Sequence, residues 1–349
     1  MPTIDTKKPV LLTGGGGYIA SWIAKQLLED GRHVRATVRN PQDRKKNAHL
    51  MALAEGTPGN LELYAADLTV EGSFQTAMDG CELVLHTASP FFIDGIKDPQ
   101  KQLVEPALQG TRNVLNSVNA VASVKRVVLT SSVAAIMGDA IEARQKADQT
   151  FTEQDWNTSS SLSNNPYPYS KVLAERAAWE MAEAQSRWDL VVINPAFVLG
   201  PSLSGRSDST SDNFMRSMVG GQYRTGAPDL YFGIVDVRDV ARAHILAGMT
   251  SEAKGRHILC ADTLSFAQIA DAVRSEFPSA PLPNRKAPKF LLYFIGPFFG
   301  LSWSYINNNI GHSYRLDNSY SKSNLGIRYR PVSETLCDHA REILNSSGA

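Results

Sequence analysis

Apolar runs and helical stretches alternate through the first half of the chain. "PVLLT" (9–13), "HVRATV" (33–38), "LELYAA" (61–66), "ELVLHTA" (82–88), "VKRVVLTS" (124–131) and "LVVIN" (190–194) are rich in Val and Leu with little alternation. That is the pattern of strands buried on both faces. Helical patterning fills the intervals: up to Asp30, up to about Leu53, near 71–78, over about 98–121, and from Tyr167 to about Ser186. Strands alternating with helices predict an α/β fold, a doubly wound parallel sheet covered on both faces.

Past Pro195 the rhythm changes. "GPSLSGRSDSTSDN" (200–213) is loop-like, and helices are predicted at about 211–219, 236–250, 265–277, 288–300 and 332–345, with a strand at "RHILC" (256–260). The expected division is a nucleotide-binding domain over 1–195, rejoined by about 235–257. A smaller mixed α/β substrate-binding region takes 196–234 and 258–349.

Composition narrows the function classes. The chain has 349 residues, 43% apolar and 20% charged, an ordinary soluble composition. Its formal net charge is zero, which gives no electrostatic reason to expect nucleic-acid or anionic-membrane partners. Cys81, Cys260 and Cys337 are widely spaced and odd in number, so neither a disulfide framework nor a zinc pattern follows. A short apolar run at the N-terminus does not read as a secretion signal, and a cytoplasmic location is expected. "KFLLYFIGPFFGLSW" (289–303) is shorter than a spanning helix needs and is broken by Gly296-Pro297, so it reads as core or pocket lining.

The first chemical signal is "VLLTGGGGYIASWIAKQLLEDG", a glycine loop between a strand and a helix. In the spacing Gly14-x-x-Gly17-x-x-Ala20, Gly14 permits a tight turn, Gly17 lets the backbone approach a pyrophosphate, and Ala20 lets the helix pack closely. Amides at the helix start then face phosphate. A Rossmann-type dinucleotide fold follows. The second strand ends in Val38-Arg39 rather than in an acid, and Arg39 suits a ribose 2′-phosphate, with Arg44, Lys45 and Lys46 adding charge. NADP is expected; a solvated basic helix start is the alternative. Asp67 ends the third strand and serves either the adenine edge beside Leu68 or a helix N-cap. In "HTASP" (86–90), Ala88 and Ser89 are small enough to let a ribose lie close, and His86 reads as a packed strand residue.

The second signal is "NPYPYSK" (165–171). Tyr167 and Lys171 lie one turn apart on one helix face. An ammonium near a phenol stabilises the phenolate and lowers its pKa toward the working range. Ser132, at the end of the fifth strand, can orient a carbonyl while Tyr167 donates the proton and NADPH the hydride. Asn164 or Asn165 is the expected cap of this helix and Pro166 its first residue.

Together with "ATVRNP", "DLTVEGSF", "INPAFVLGP", "VDVRDVARAH" and "SKSNLGIRYRP", these motifs resemble the extended short-chain dehydrogenase/reductase family over nearly the whole chain. The closer likeness is to the branch of dihydroflavonol reductases, cinnamoyl-CoA reductases and microbial carbonyl or aldehyde reductases. The resemblance implies a catalytic triad of Ser132, Tyr167 and Lys171. It implies that Gly14, Gly17, Tyr18, Ile19, Arg39, Lys46, Asp67 and Leu68 hold the adenine half of NADP, and Ala88, Pro195 and Val198 the nicotinamide half. Asn113 would be a structural residue behind the site.

Two departures bear on substrate. Met137 stands where plant dihydroflavonol reductases carry Asn, and Gly233 aligns with their substrate-binding Gln. Met137 with Phe91, Phe92, Tyr169, Phe197, Phe214 and Met218 suggests an apolar pocket for aryl or alkyl carbonyls, although Phe214 and Met218 sit at a spacing that packing alone explains. The expected activity is an NADPH-dependent carbonyl reductase, reversible as an alcohol dehydrogenase. A nucleotide-sugar epimerase or dehydratase would want more basic residues after position 200 than Arg206, Arg216 and Arg224. A non-catalytic NADP sensor would not need the Tyr–Lys pair. No interface pattern sets the oligomeric state.

Overall fold

The computed structural model describes residues 2–89, 97–205, 209–296 and 301–347. β1 (Val10–Thr13) leads through the glycine loop into α1 (Tyr18–Glu29). β2 (His33–Val38), α2 (Arg44–Ala54), β3 (Asn60–Ala65), α3 (Gln75–Met78) and β4 (Leu83–His86) continue the alternation. A wide turn at Gln100–Val104 feeds α4 (Glu105–Ala120), followed by β5 (Arg126–Thr130) and β6 (Thr150–Phe151). Next come α5 (Pro166–Glu183), β7 (Asp189–Pro195), β8 (Phe197–Leu199), α6 (Thr210–Val219), β9 (Tyr231–Asp236) and α7 (Val237–Met249). The chain closes with β10 (Gly255–Leu259), β11 (Asp262–Ser265), α8 (Phe266–Glu276), α9 (Lys289–Ile295), α10 (Trp303–Asn309), β12 (Arg315–Leu316), α11 (Ser319–Leu325) and α12 (Val332–Ser347).

Seven strands form one sheet in the order β10-β7-β5-β4-β1-β2-β3, every neighbouring pair parallel. The Val- and Leu-rich runs have a direct cause. Leu12, Leu85, Val128, Val191 and Ile193 pack on one face with α1 and α7. Leu11, Val84, Val127, Leu129 and Val192 pack on the other with α4 and α5. Alternate residues of each strand thus meet two different apolar layers, so neither face needs a polar residue. Strand order reverses between β1 and β4, which opens a crevice at the carboxyl edge.

A second, three-stranded sheet, β11-β9-β8, carries α6, α8 and α12 around Met215, Met218, Phe266, Ile269 and Leu336. Its strands are absent from the expected elements, as are α10 and α11. The described part of the segment at 289–303 also differs from its expected core or pocket-lining role. Only Leu292 of α9 is buried, while Phe290 and Phe294 are 68% and 73% exposed. Among the described residues no helix is long and apolar enough to cross a membrane.

Two buried histidines close the sheet's carboxyl edge. His86 Nδ1 meets Thr13 Oγ1 at 2.9 Å. His244 of α7 donates from Nδ1 to the Val240 carbonyl at 2.7 Å, which leaves Nε2 to accept from the Thr130 hydroxyl at 2.7 Å. Burial pushes His244 down to about 4, the Val240 hydrogen bond opposing it. The unfolded chain therefore takes up a proton near pH 6.5 that the folded chain refuses until about pH 4, and stability falls with pH across that window. In His244→Gln, urea unfolding should lose about 1 kcal/mol less between pH 6 and pH 5 than in the parent. An identical loss in both would contradict this.

Candidate active site

The glycine loop is shaped by two close approaches. Gly14 has φ +69°, and a Cβ there would lie 2.9 Å from the Ala88 Cα. At Gly15 a Cβ would come 2.8 Å from the Ala36 side chain. The missing side chains let the ends of β1, β2 and β4 converge, and the Thr37 carbonyl accepts the Gly15 amide at 2.9 Å. Gly17 caps α1 with extended backbone, and Ala20 is buried beneath it. Ile19 is half-buried against the sheet. The cradle fits a pyrophosphate: its floor is backbone, its amides open a helix, and a side chain at residue 14 would fill it.

The residues expected to hold the adenine half lie around the ends of β2 and β3. Arg39 is exposed, and its charge reaches the Asp67 carboxylate. Asp67 accepts from the Thr69 amide at 2.8 Å and hydroxyl at 2.7 Å, and these hydrogen bonds, ahead of Arg39, hold its carboxyl below the usual range. It thus closes a turn rather than capping a helix. Lys46 is solvated, with its amide capped by Asp43. Leu68 rests on Gly110 of α4, and its carbonyl accepts from Asn113 Nδ2 at 2.7 Å, which places that buried asparagine beneath the adenine side. Tyr18 donates to the Gly200 carbonyl at 2.5 Å and Trp22 to the Pro201 carbonyl at 2.8 Å, clasping α1 to the loop after β8. Pro195 ends β7 and Val198 lies in β8 beside Val235.

The catalytic candidates converge on the middle of the edge. Ser132 follows β5 directly, accepting from the Ala134 amide at 3.1 Å. α5 packs against that turn. Lys171 is buried; its Nζ donates to Ser89 Oγ at 3.0 Å, just beyond β4, and lies 5.7 Å from the Tyr167 ring centre. The phenol differs from expectation. Burial pushes Tyr167 up to about 12, and the same burial lowers Lys171 to about 8 against the opposing charge of Glu175. Desolvation penalises phenolate and ammonium alike, which moves the two groups in opposite directions. His86 is buried beside them, brought down to about 3 by burial first and by the Lys171 charge second, so it remains a neutral strand residue at physiological pH.

The cap of α5 is also different. Asn165 occupies the left-handed region, φ +57°, and makes no capping hydrogen bond. Its Nδ2 donates instead to Asp139 Oδ1 at 3.0 Å. The same carboxylate accepts from Asn308 and Asn309 of α10, each at 2.8 Å.

Of the expected pocket residues, Phe91 and Phe92 lie outside the described residues. Tyr169 is half-buried in the first turn of α5. Phe197 and Phe214 stand edge to face, 5.2 Å apart, with Phe232 beside both. Met218 is fully buried among packing contacts, and Met137 is enclosed with Phe151, Ile258 and Leu316. At Gly233 a Cβ would meet the end of the Leu316 side chain at 2.6 Å and Cys260 Sγ at 3.1 Å, so a side chain there needs its apolar neighbours to move. Sequence reasoning missed Glu175, Asn194 and Arg256, which lie behind the triad. The available signal was an acid four residues after Lys171, on the same helix face.

Comparison with known proteins agrees with this geometry. Residues 10–261 match the model of the NAD dependent epimerase/dehydratase family. The chain is 42% identical over 281 residues to "Cinnamoyl-CoA reductase CAD2" of Medicago truncatula, covering 80% of this chain and 83% of that protein. It is 36% identical over 340 residues to "Cinnamoyl-CoA reductase 2" of the same plant, covering 96% and 90%. Yeast methylglyoxal/isovaleraldehyde reductase Gre2, solved with NADPH, superposes with a TM-score of 0.80 at 29% identity, covering 97% of this chain and 99% of that one.

Gly14→Ala should weaken NADPH binding roughly 10- to 100-fold, because left-handed strain and the Ala88 clash both act on the loop. Arg39→Ala should cut the preference for NADPH over NADH by about 10-fold or more. Fluorescence titration with each dinucleotide measures both; unchanged affinities would remove these residues from the site.

Proposed function

We propose that this chain, which belongs to the NAD dependent epimerase/dehydratase family as an NADPH-dependent oxidoreductase of the extended short-chain type, reduces the carbonyl of an aryl or alkyl aldehyde or ketone. The observation that carries the reading is the Lys171 ammonium, held between the Tyr167 ring and Ser89 at the crevice where the strand order reverses. When bound, NADPH supplies the hydride. Gly14, Gly17 and Arg39 would hold its adenine half, and Ala88, Pro195 and Val198 its nicotinamide half.

Ser132 takes the part of the carbonyl-orienting hydroxyl and Tyr167 that of the acid. A phenol pushed up to about 12 keeps its proton at neutral pH and gives it to a nascent alkoxide, a far stronger base. Lys171 supplies positive charge beside the phenolate that forms, where low dielectric makes each charge count for more. We read residues 196–234 and 258–349 as the substrate-binding part. The half-buried, mutually packed Phe197, Phe214 and Phe232, with only apolar neighbours closest to Gly233, support an apolar substrate rather than a polyol or a nucleotide sugar. Three buried free thiols support a reducing, cytoplasmic location.

NADPH consumption should follow addition of aryl and alkyl aldehydes or ketones and not of UDP-sugars. Tyr167→Phe should lower kcat about 10²- to 10⁴-fold while NADPH still binds. Turnover of UDP-sugars alone, or an active Tyr167→Phe, would sink the assignment.

A further inference from the structure

Behind the triad lies a carboxylate that the reaction as described does not use. Glu175 of α5 is fully buried, two helical turns after Tyr167 and one after Lys171. Both oxygens are occupied. Oε2 accepts from the Ser131 hydroxyl at 2.5 Å and from Asn194 Nδ2 at 2.8 Å. Oε1 accepts from Arg256 Nε at 2.6 Å and from Trp179 Nε1 at 3.4 Å. Asn194 also donates to the Ser132 carbonyl at 3.1 Å.

Arg256 extends the frame. Its guanidinium lies 4.0 Å from the Trp156 ring centre and donates to the carbonyls of Asp155, Glu153 and Ala135 at 2.5, 3.1 and 3.3 Å. One buried ion pair thus ties α5, the end of β5, β7, β10 and the segment that follows Ser132. Glu175, Lys171, Ser89, Ser131 and His86 line one small cavity behind the site.

We propose that Glu175 is the positioning residue of the triad: through Asn194 and Arg256 it fixes Ser132 against the Tyr167 helix, and it faces Lys171 with a buried negative charge. A salt bridge at this depth is a poor way to gain stability, since desolvating two ions costs more than their attraction commonly returns. Its retention at the back of the triad fits a positioning role. Other groups facing Lys171 are Tyr167 on its own helix, neutral His86 of β4, and the hydroxyls of Ser89, Thr130 and Ser131. Arg256 is the cation opposing Glu175, and Glu175 is the acid whose charge acts on Lys171. Removing that charge therefore makes the ammonium easier to discharge.

The inference rests on the carbonyl-reductase reading, so its test combines turnover with a readout that needs none. In full-length protein carrying ¹³C-labelled lysine, the Lys171 resonance, assigned by its loss in Lys171→Ala, is titrated by NMR. Glu175→Gln should lower its midpoint by about one pH unit. With NADPH and the best carbonyl, the high-pH limb of kcat should shift likewise, kcat should drop about 10-fold or more, and the KM for NADPH should change less than about 3-fold. An unmoved Lys171 midpoint overturns the proposal, as does an unchanged kcat. If Glu175→Gln does not fold, Glu175→Asp decides. Its retained charge should leave the Lys171 midpoint in place while the altered reach lowers kcat, and wild-type kcat or a shifted midpoint overturns the proposal. A parent enzyme inactive on every carbonyl would instead refute the assigned reaction, leaving the NMR result to judge the charge.

Discussion

Where helices cover both faces of a sheet, the polar groups buried at its strand ends have little water to bond. Each polar group that closes a strand must then be matched by another protein group, or it costs the fold about as much as a lost hydrogen bond. Thr13 is matched by His86, Thr130 by His244, and Ser131 by Glu175. Parallel direction gathers all of these at one edge. The edge that must be polar for chemistry is thus also the edge that must be wired for stability, and the same residues meet both demands.

That coupling explains why burial governs the acid and the base. Tyr167 is half-buried and Lys171 buried, and with that loss of water the phenol moves up while the amine moves down. For carbonyl reduction this is a useful bias, since the resting phenol holds the proton it is to deliver. The positive charge matters most once the proton has left.

Much of this was legible in the sequence because the relevant signals are local. β1, the glycine loop and α1 fall within 20 residues, and their periodicity is unmistakable. Tyr167 and Lys171 share a face by helix geometry alone. What escaped was either short or long-range. β8, β9 and β11 are three to six residues each, and α10 and α11 are built from Asn and Ser, without an apolar period. Asn165 has the composition of a cap, yet Asp139, far along the chain, claims its amide. Glu175 and Arg256 carry full charge and read locally as solvated surface; only the packing of α5 against β7 and β10 shows them buried. The aromatic run at 289–295 was apolar enough to suggest core, and nothing in its neighbours announced that α9 buries a single residue.

The Asp139 junction has a consequence for how the molecule comes into being. Its partner Asn309 is 170 positions away in the chain, so this junction is completed by a contact that only a nearly full-length polypeptide can make. The turn of the glycine loop closes between near neighbours, the Gly17 amide donating to the Gly14 carbonyl at 2.9 Å, and has no such dependence. The two ends of the site therefore differ in the span of chain that each local turn requires.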